Sequence, residues 1–157
     1  MAQRGAEVIW KRLFNWACPM IAEVRCDTSS LEVANSGNIW GNIWISYGDQ
    51  HFPELGWNDM PVAFLVELVG VVRRLAVSES RRVLFFDGPF WIDLTRTRDS
   101  LLIARGRSNE VPLQAMNVEL EAFITNVITQ ARHIVEACVT NGWGDQQDVR
   151  RLAQLVK

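Results

Sequence analysis

Three short apolar runs, parted by two turn signals, occupy residues 81–107: RRVLFF, then Asp-Gly-Pro, then FWIDL, then TRTRD and Ser100, then LLIARGR. Connections this short can only join antiparallel strands, because a parallel crossover needs about a dozen residues or more. The stretch therefore predicts a three-stranded antiparallel meander. With Gly88-Pro89 as a two-residue loop, Asp87 pairs with Phe90, Phe86 with Trp91 and Phe85 with Ile92. Glycine suits the position before proline, which must be non-helical. In the following hairpin Arg96 opposes Leu101 and Arg105 opposes Ile92.

Upstream, MIAEVRCD alternates as a strand. NIWGNIWISYGD places Ile39, Ile43 and Ile45 on one parity and Trp40 and Trp44 on the other. That pattern fits an interior strand covered on both faces, or one bearing a tryptophan-lined surface. Residues 7–17 read as a short helix stopped by Pro19, or as a strand.

The period changes at residue 59. DMPVAFLVELVGVVRRLAVSES carries Phe64, Leu65, Leu68, Val71, Val72 and Leu75 as a helical stripe, with Asn58 or Asp59 as cap and Pro61 in the first turn. Arg73 and Arg74 complement the dipole at its end. A second stripe runs from Leu120 to Cys138, capped by Asn117 and stopped by Gly142, and a last helix starts from Asp145 as N-cap. Hairpins with segregated helices mean α+β. The expected fold is an antiparallel sheet of two or three N-terminal strands plus the meander, with helices packed on it and two helices at the C-terminus. No linker divides residues 1–157, so a single domain is expected.

Composition narrows the function classes. A net charge of −2 gives no electrostatic case for nucleic acid or an anionic membrane, although 14 arginines stand against two lysines. Cys18, Cys26 and Cys138 lack ligand or CxxC spacing and read as buried thiols, which suits a reducing, cytoplasmic setting. The two histidines, His51 and His133, are too far apart for a metal cluster, and neither a metal nor another cofactor is expected. VAFLVELVGVV is too short to span a bilayer, and no membrane partner is expected. Seven tryptophans beside one tyrosine imply large rigid anchors in a core or at a binding surface.

The segment DQHFPELGWNDMP, residues 49–61, gathers the remaining candidates. His51 with Asp49 or Asp59 offers a base and an orienting carboxylate for a small enzyme or ligand-binding domain. No nucleophile elbow, HExxH, Walker or dinucleotide signature accompanies them. The alternative is a structural corner, in which Asp59 caps the helix, Phe52 and Trp57 staple its entry, and Pro53 fixes the bend.

FPELGWND, followed by an apolar helix and then VLFFDGPFWIDL, resembles small bacterial proteins of the immunity-protein class of polymorphic toxin and contact-dependent growth inhibition systems. The resemblance covers roughly residues 38–105. It rests on Phe52, Pro53, Trp57 and Asp59 in the first motif and Asp87, Gly88 and Pro89 in the second. It implies a protein without chemistry of its own, binding and occluding a cognate toxin over an interface on the order of 1,600 Å². The exposed ends of the motif loops, His51, Glu54, Trp57, Asp87 and Phe90, are then the expected contact surface.

Overall fold

The computed structural model describes residues 19–157; the helix or strand expected at 7–17 lies outside them. The chain runs β1 (Ala22–Val33), β2 (Ile39–Tyr47), β3 (Gln50–Phe52), β4 (Asn58–Asp59), α1 (Pro61–Arg74), β5 (Ser80–Leu84), β6 (Phe90–Arg96), β7 (Leu101–Arg107), β8 (Leu113–Val118), α2 (Leu120–Thr140) and α3 (Gln147–Leu155). This is the α+β architecture the pattern of runs predicts. It has two antiparallel four-stranded sheets. In the first, β2 lies between β1 on one side and β3 and β4 on the other. The second is the meander β5-β6-β7-β8. Met20, just before β1, forms a parallel bridge to Val118 of β8 and ties the lead into β1 to the second sheet.

Alternation in β2 settles which face is which. Ile39, Gly41, Ile43, Ile45 and Tyr47 are buried, while Trp40, Asn42, Trp44 and Ser46 are half-buried on the other face. Of the two sequence alternatives, the tryptophan-lined surface is the one realised. Helix α1 packs beneath this sheet and is apolar almost all round: Val62, Phe64, Leu65, Val66, Leu68, Val69 and Val72 are all buried. A helix with so little polar face belongs inside a fold. Buried residues of both sheets and all three helices make one continuous core.

The second sheet extends past the expected three strands, because β8 pairs with β7 at Leu101↔Val118 and Ile103↔Met116. The β6–β7 register is the one read from sequence, with Arg96 opposite Leu101 and Ile92 opposite Arg105. The β5–β6 register is not. Leu84 opposes Trp91 and Val83 opposes Ile92, so residues 86–89 form a four-residue loop closed by Phe85 N–H on Phe90 C=O at 3.0 Å. The displacement is two residues, so each side chain keeps its expected face. The outward-facing Trp91 is nonetheless only 5% exposed. Its ring lies against Gly106, and the Arg82 guanidinium sits 3.9 Å over it. On the core face Arg105 is buried; its Nε donates to the Tyr47 hydroxyl at 3.0 Å and its Nη1 to Gln114 C=O at 3.0 Å.

Three expected helix caps are corrected. The N-cap of α1 is Met60, with no side-chain bond, since Asp59 is used elsewhere. Asn117 belongs to β8, and the α2 cap is Glu119, whose carboxylate accepts Glu121 and Ala122 N–H groups at 3.1 and 2.6 Å. The α3 cap is Gln146 rather than Asp145. Gly142 does end α2, at φ +81°, with Gly142 N–H on Val139 C=O and Trp143 N–H on Cys138 C=O.

Helix α2 also covers the free edge of β1. Asn126 bonds both backbone groups of Val24, and Gln130 Oε1 accepts the Cys26 N–H at 3.3 Å. Side-chain amides thus stand where a neighbouring strand would.

Candidate functional site

The two sequence motifs meet in space around Asp59, which is fully buried. Its Oδ1 accepts backbone N–H groups from Met60 at 2.7 Å, Phe86 at 3.0 Å and Asp87 at 3.2 Å. Its Oδ2 accepts the Trp57 indole N–H at 3.2 Å. Burial pushes the Asp59 carboxyl up, and the four donors pull the other way without cancelling it. The carboxylate thus joins the end of the first sheet to the β5–β6 loop.

Rings fill the space beside it. Phe52 meets Phe85 and Phe90 edge-on at 5.9 and 5.8 Å, Trp57 meets Phe90 at 5.1 Å, and Phe64 stacks on Phe85 at 4.5 Å. Phe52 and Trp57 therefore fasten the corner to the second sheet. Pro53 follows a cis Phe52–Pro53 peptide. The Gly88–Pro89 bond is not among the cis peptides. Gly88 has φ +71°, and a Cβ there would come within 3.2 Å of the Trp57 ring. The positive φ calls for glycine, and the tight approach of the ring adds to it.

His51 lies on the other side of the sheet. It pairs with Ser46 on the outer face, whereas Asp59 pairs with Gly41 on the core face. The sheet itself separates them, so they do not form a dyad. Asp49 is exposed in the β2–β3 turn. The partner that His51 has is Ser46, whose Oγ is 3.0 Å from Nδ1. Trp44 Nε1 donates to the same Oγ at 3.0 Å.

Cross-strand register assembles the rest of this face. Arg25 opposes Trp44, Asp27 opposes Asn42, and Glu32 opposes Trp40. Arg25 forms an ion pair with Glu23. The result is an open surface with two half-buried indoles set among polar groups. The Trp44 ring is held by its bond to Ser46, so little freedom is left to lose when it is covered. Sequence reasoning flagged Trp40 and Trp44 but missed Ser46. The alternation of Asn42, Trp44 and Ser46 along β2 is the signal that places all three together.

Of the five expected contact residues, His51 is half-buried on this face and Glu54 is exposed in the loop after β3. Asp87 is exposed at the loop tip, while Trp57 and Phe90 pack on each other with part of each ring accessible. Of the structural set, Phe52 and Asp59 are buried, and Gly88 and Pro89 are exposed in the loop.

His133 is exposed on α2 and lines a separate polar cleft of about 440 Å³ with Arg25, Cys26, Thr28, Gln130 and Glu136. Burial raises both described thiols, Cys138 to about 11 and Cys26 further, so both stay protonated at neutral pH. Among the described residues no group of His, Cys, Asp and Glu is placed to hold a metal ion, and no helix is long and apolar enough to cross a membrane. No known family, curated protein or solved structure matches this chain.

Proposed function

We propose that this protein is a toxin-neutralising immunity protein, which binds a cognate bacterial toxin domain and blocks it by covering its active surface. One observation carries the reading. The two motifs behind the resemblance to the immunity class form a single unit, through the Asp59 carboxylate on the Phe86 and Asp87 N–H groups and through Trp57 packed on Phe90. The acids and rings of that unit serve shape. Recognition then falls to the outer face of the first sheet, where Trp40, Trp44 and His51 stand. Tryptophan in a fixed orientation is a frequent energetic anchor of interfaces.

The test is co-expression with the product of the adjacent gene. Growth rescue and a stable complex are expected, and Trp44→Ala should abolish the complex while the far-UV spectrum and melting midpoint hold. A neighbour that is not toxic, or a complex indifferent to Trp40 and Trp44, would remove the proposal. A second reading rests on the Ser46–His51 contact: a small enzyme or ligand-binding domain using the imidazole. It requires His51→Ala to abolish turnover or ligand binding at unchanged stability.

A further inference from the structure

Among the described residues, helix α1 is wrapped apart from Arg73 near its end and one line along its length. Glu67 is exposed, Gly70 and Val71 are half-buried and Arg74 is exposed, one above the other at helical spacing. This line floors a cleft of about 340 Å³ between α1, the start of β5 and α3. Arg151 and Leu155 of α3 form the opposite wall, and Leu75, Glu79 and Arg81 close the end.

Three arginines from three different elements thus converge on one cleft. Arg81 is paired, since Glu79 accepts its Nε–H at 2.7 Å and also takes the Ala76 N–H at 2.8 Å. Arg74 and Arg151 have no ion pair among the described residues. Helix dipole accounts for Arg74 at the end of α1, but not for Arg151, which lies mid-helix in α3. A planar guanidinium is suited to gripping a carboxylate through two parallel hydrogen bonds.

Gly70 is an independent pointer. It sits in the middle of α1, where glycine weakens a helix relative to alanine. A Cβ built there would meet nothing within 4 Å, so packing among the described residues does not demand glycine. A bare backbone facing an open cleft does suit close approach by something from outside.

We propose that this cleft is a docking site for an acidic segment of a protein partner, with an apolar side chain seated over Gly70 and a carboxylate held by Arg74 and Arg151. The lining holds three arginines and two glutamates, a net of +1. Glu67 at one end of the floor disfavours a continuous polyanion and leaves a place for a donor, which fits a polypeptide and not a nucleic-acid backbone. The site lies on α1, which packs under the first sheet, and so is separate from the outer tryptophan face. It goes beyond the toxin-binding reading, and either can fail while the other stands.

The experiment is peptide display on the whole chain, with counter-selection on the Arg74→Gln/Arg151→Gln double variant. The probes used afterwards are the enriched peptides, fluorescein-labelled and titrated by anisotropy, and a uridine 12-mer RNA. Expected are peptides carrying an Asp or Glu next to a Leu-like residue, bound at least tenfold more weakly by the double variant. Gly70→Leu should weaken binding by a similar factor, while Gly70→Ala raises the melting midpoint of the free chain. Both arginines are exposed, so the double variant should keep its circular dichroism spectrum. Peptides without acidic enrichment, binding indifferent to the arginines and to Gly70, or preferential binding of the RNA would each overturn the proposal.

Discussion

The side-chain amide of Asn126 engages both backbone polar groups of Val24: Oδ1 accepts the N–H at 2.7 Å and Nδ2 donates to the C=O at 3.3 Å. One helical side chain reproduces the pairing of a neighbouring strand residue. Asn126→Leu removes both bonds and should cost about 1–3 kcal/mol, read from urea denaturation. It also bares the β1 edge, so light scattering should show mass growing with concentration. A variant that stays monomeric and equally stable would contradict this account.

Asp59 should prove far more than a helix cap. Asp59→Ala leaves three backbone N–H groups and an indole N–H without their acceptor, at about 1–3 kcal/mol for each buried group that finds no water, and about 3 kcal/mol or more in total. Asp59→Asn should cost distinctly less. Its Oδ1 can keep the three backbone donors, and only its Nδ2 conflicts with the Trp57 N–H. Equal losses in the two variants would argue against the bonding described here.

The pH dependence of Asp59 has a definite sign. Burial raises its folded-state carboxyl above the ordinary value, so folding favours the protonated form. The associated stability is fully present below the unfolded carboxylate range and is lost as pH rises through the raised value. Wild type should therefore gain on Asp59→Asn as pH falls from neutrality toward 4, measured as the difference in urea midpoints. The opposite slope would mean that the four donors outweigh burial.

Gly106 is fixed by Trp91. A Cβ at 106 would fall 2.5 Å from Trp91 Cζ2, so Gly106→Ala must push the indole off the sheet. Overpacking of this kind should cost about 1–3 kcal/mol in the melting or urea midpoint. Restoring stability by shrinking the ring, as in Gly106→Ala with Trp91→Leu, would tie the loss to this contact.

Where the sequence was legible, periodicity made it so. Alternation along Ile39–Tyr47 separates core isoleucines from surface tryptophans, and the turn at Thr97–Ser100 sets the β6–β7 register from purely local chemistry. What stayed hidden depends on distant partners. The β5–β6 loop has four residues where Asp59 takes the Phe86 and Asp87 N–H groups, the second of which a two-residue loop would place in the ladder. No local pattern could reveal that. Strand β8 opens on exposed residues, with Leu113 51% exposed, and carries too weak an alternation to declare itself. Asp59, Asn117 and Asp145 are all good capping residues by type, yet the first two were claimed by strands. At the site, Trp44 and His51 were readable as residues, but their union through Ser46 exists only once β2 and β3 are in register.

The buried carboxylate between β4 and the β5–β6 loop also bears on how the molecule comes apart. The first sheet is built from residues 22–59 and the second from 80–118, so each is contiguous in the chain and each could melt on its own. Asp59 is bonded to both. Opening either sheet takes away part of its donor set, a loss felt in both halves. The two halves are thereby bound to a single cooperative transition, and the residue that joins them sets the width of that transition as much as its midpoint.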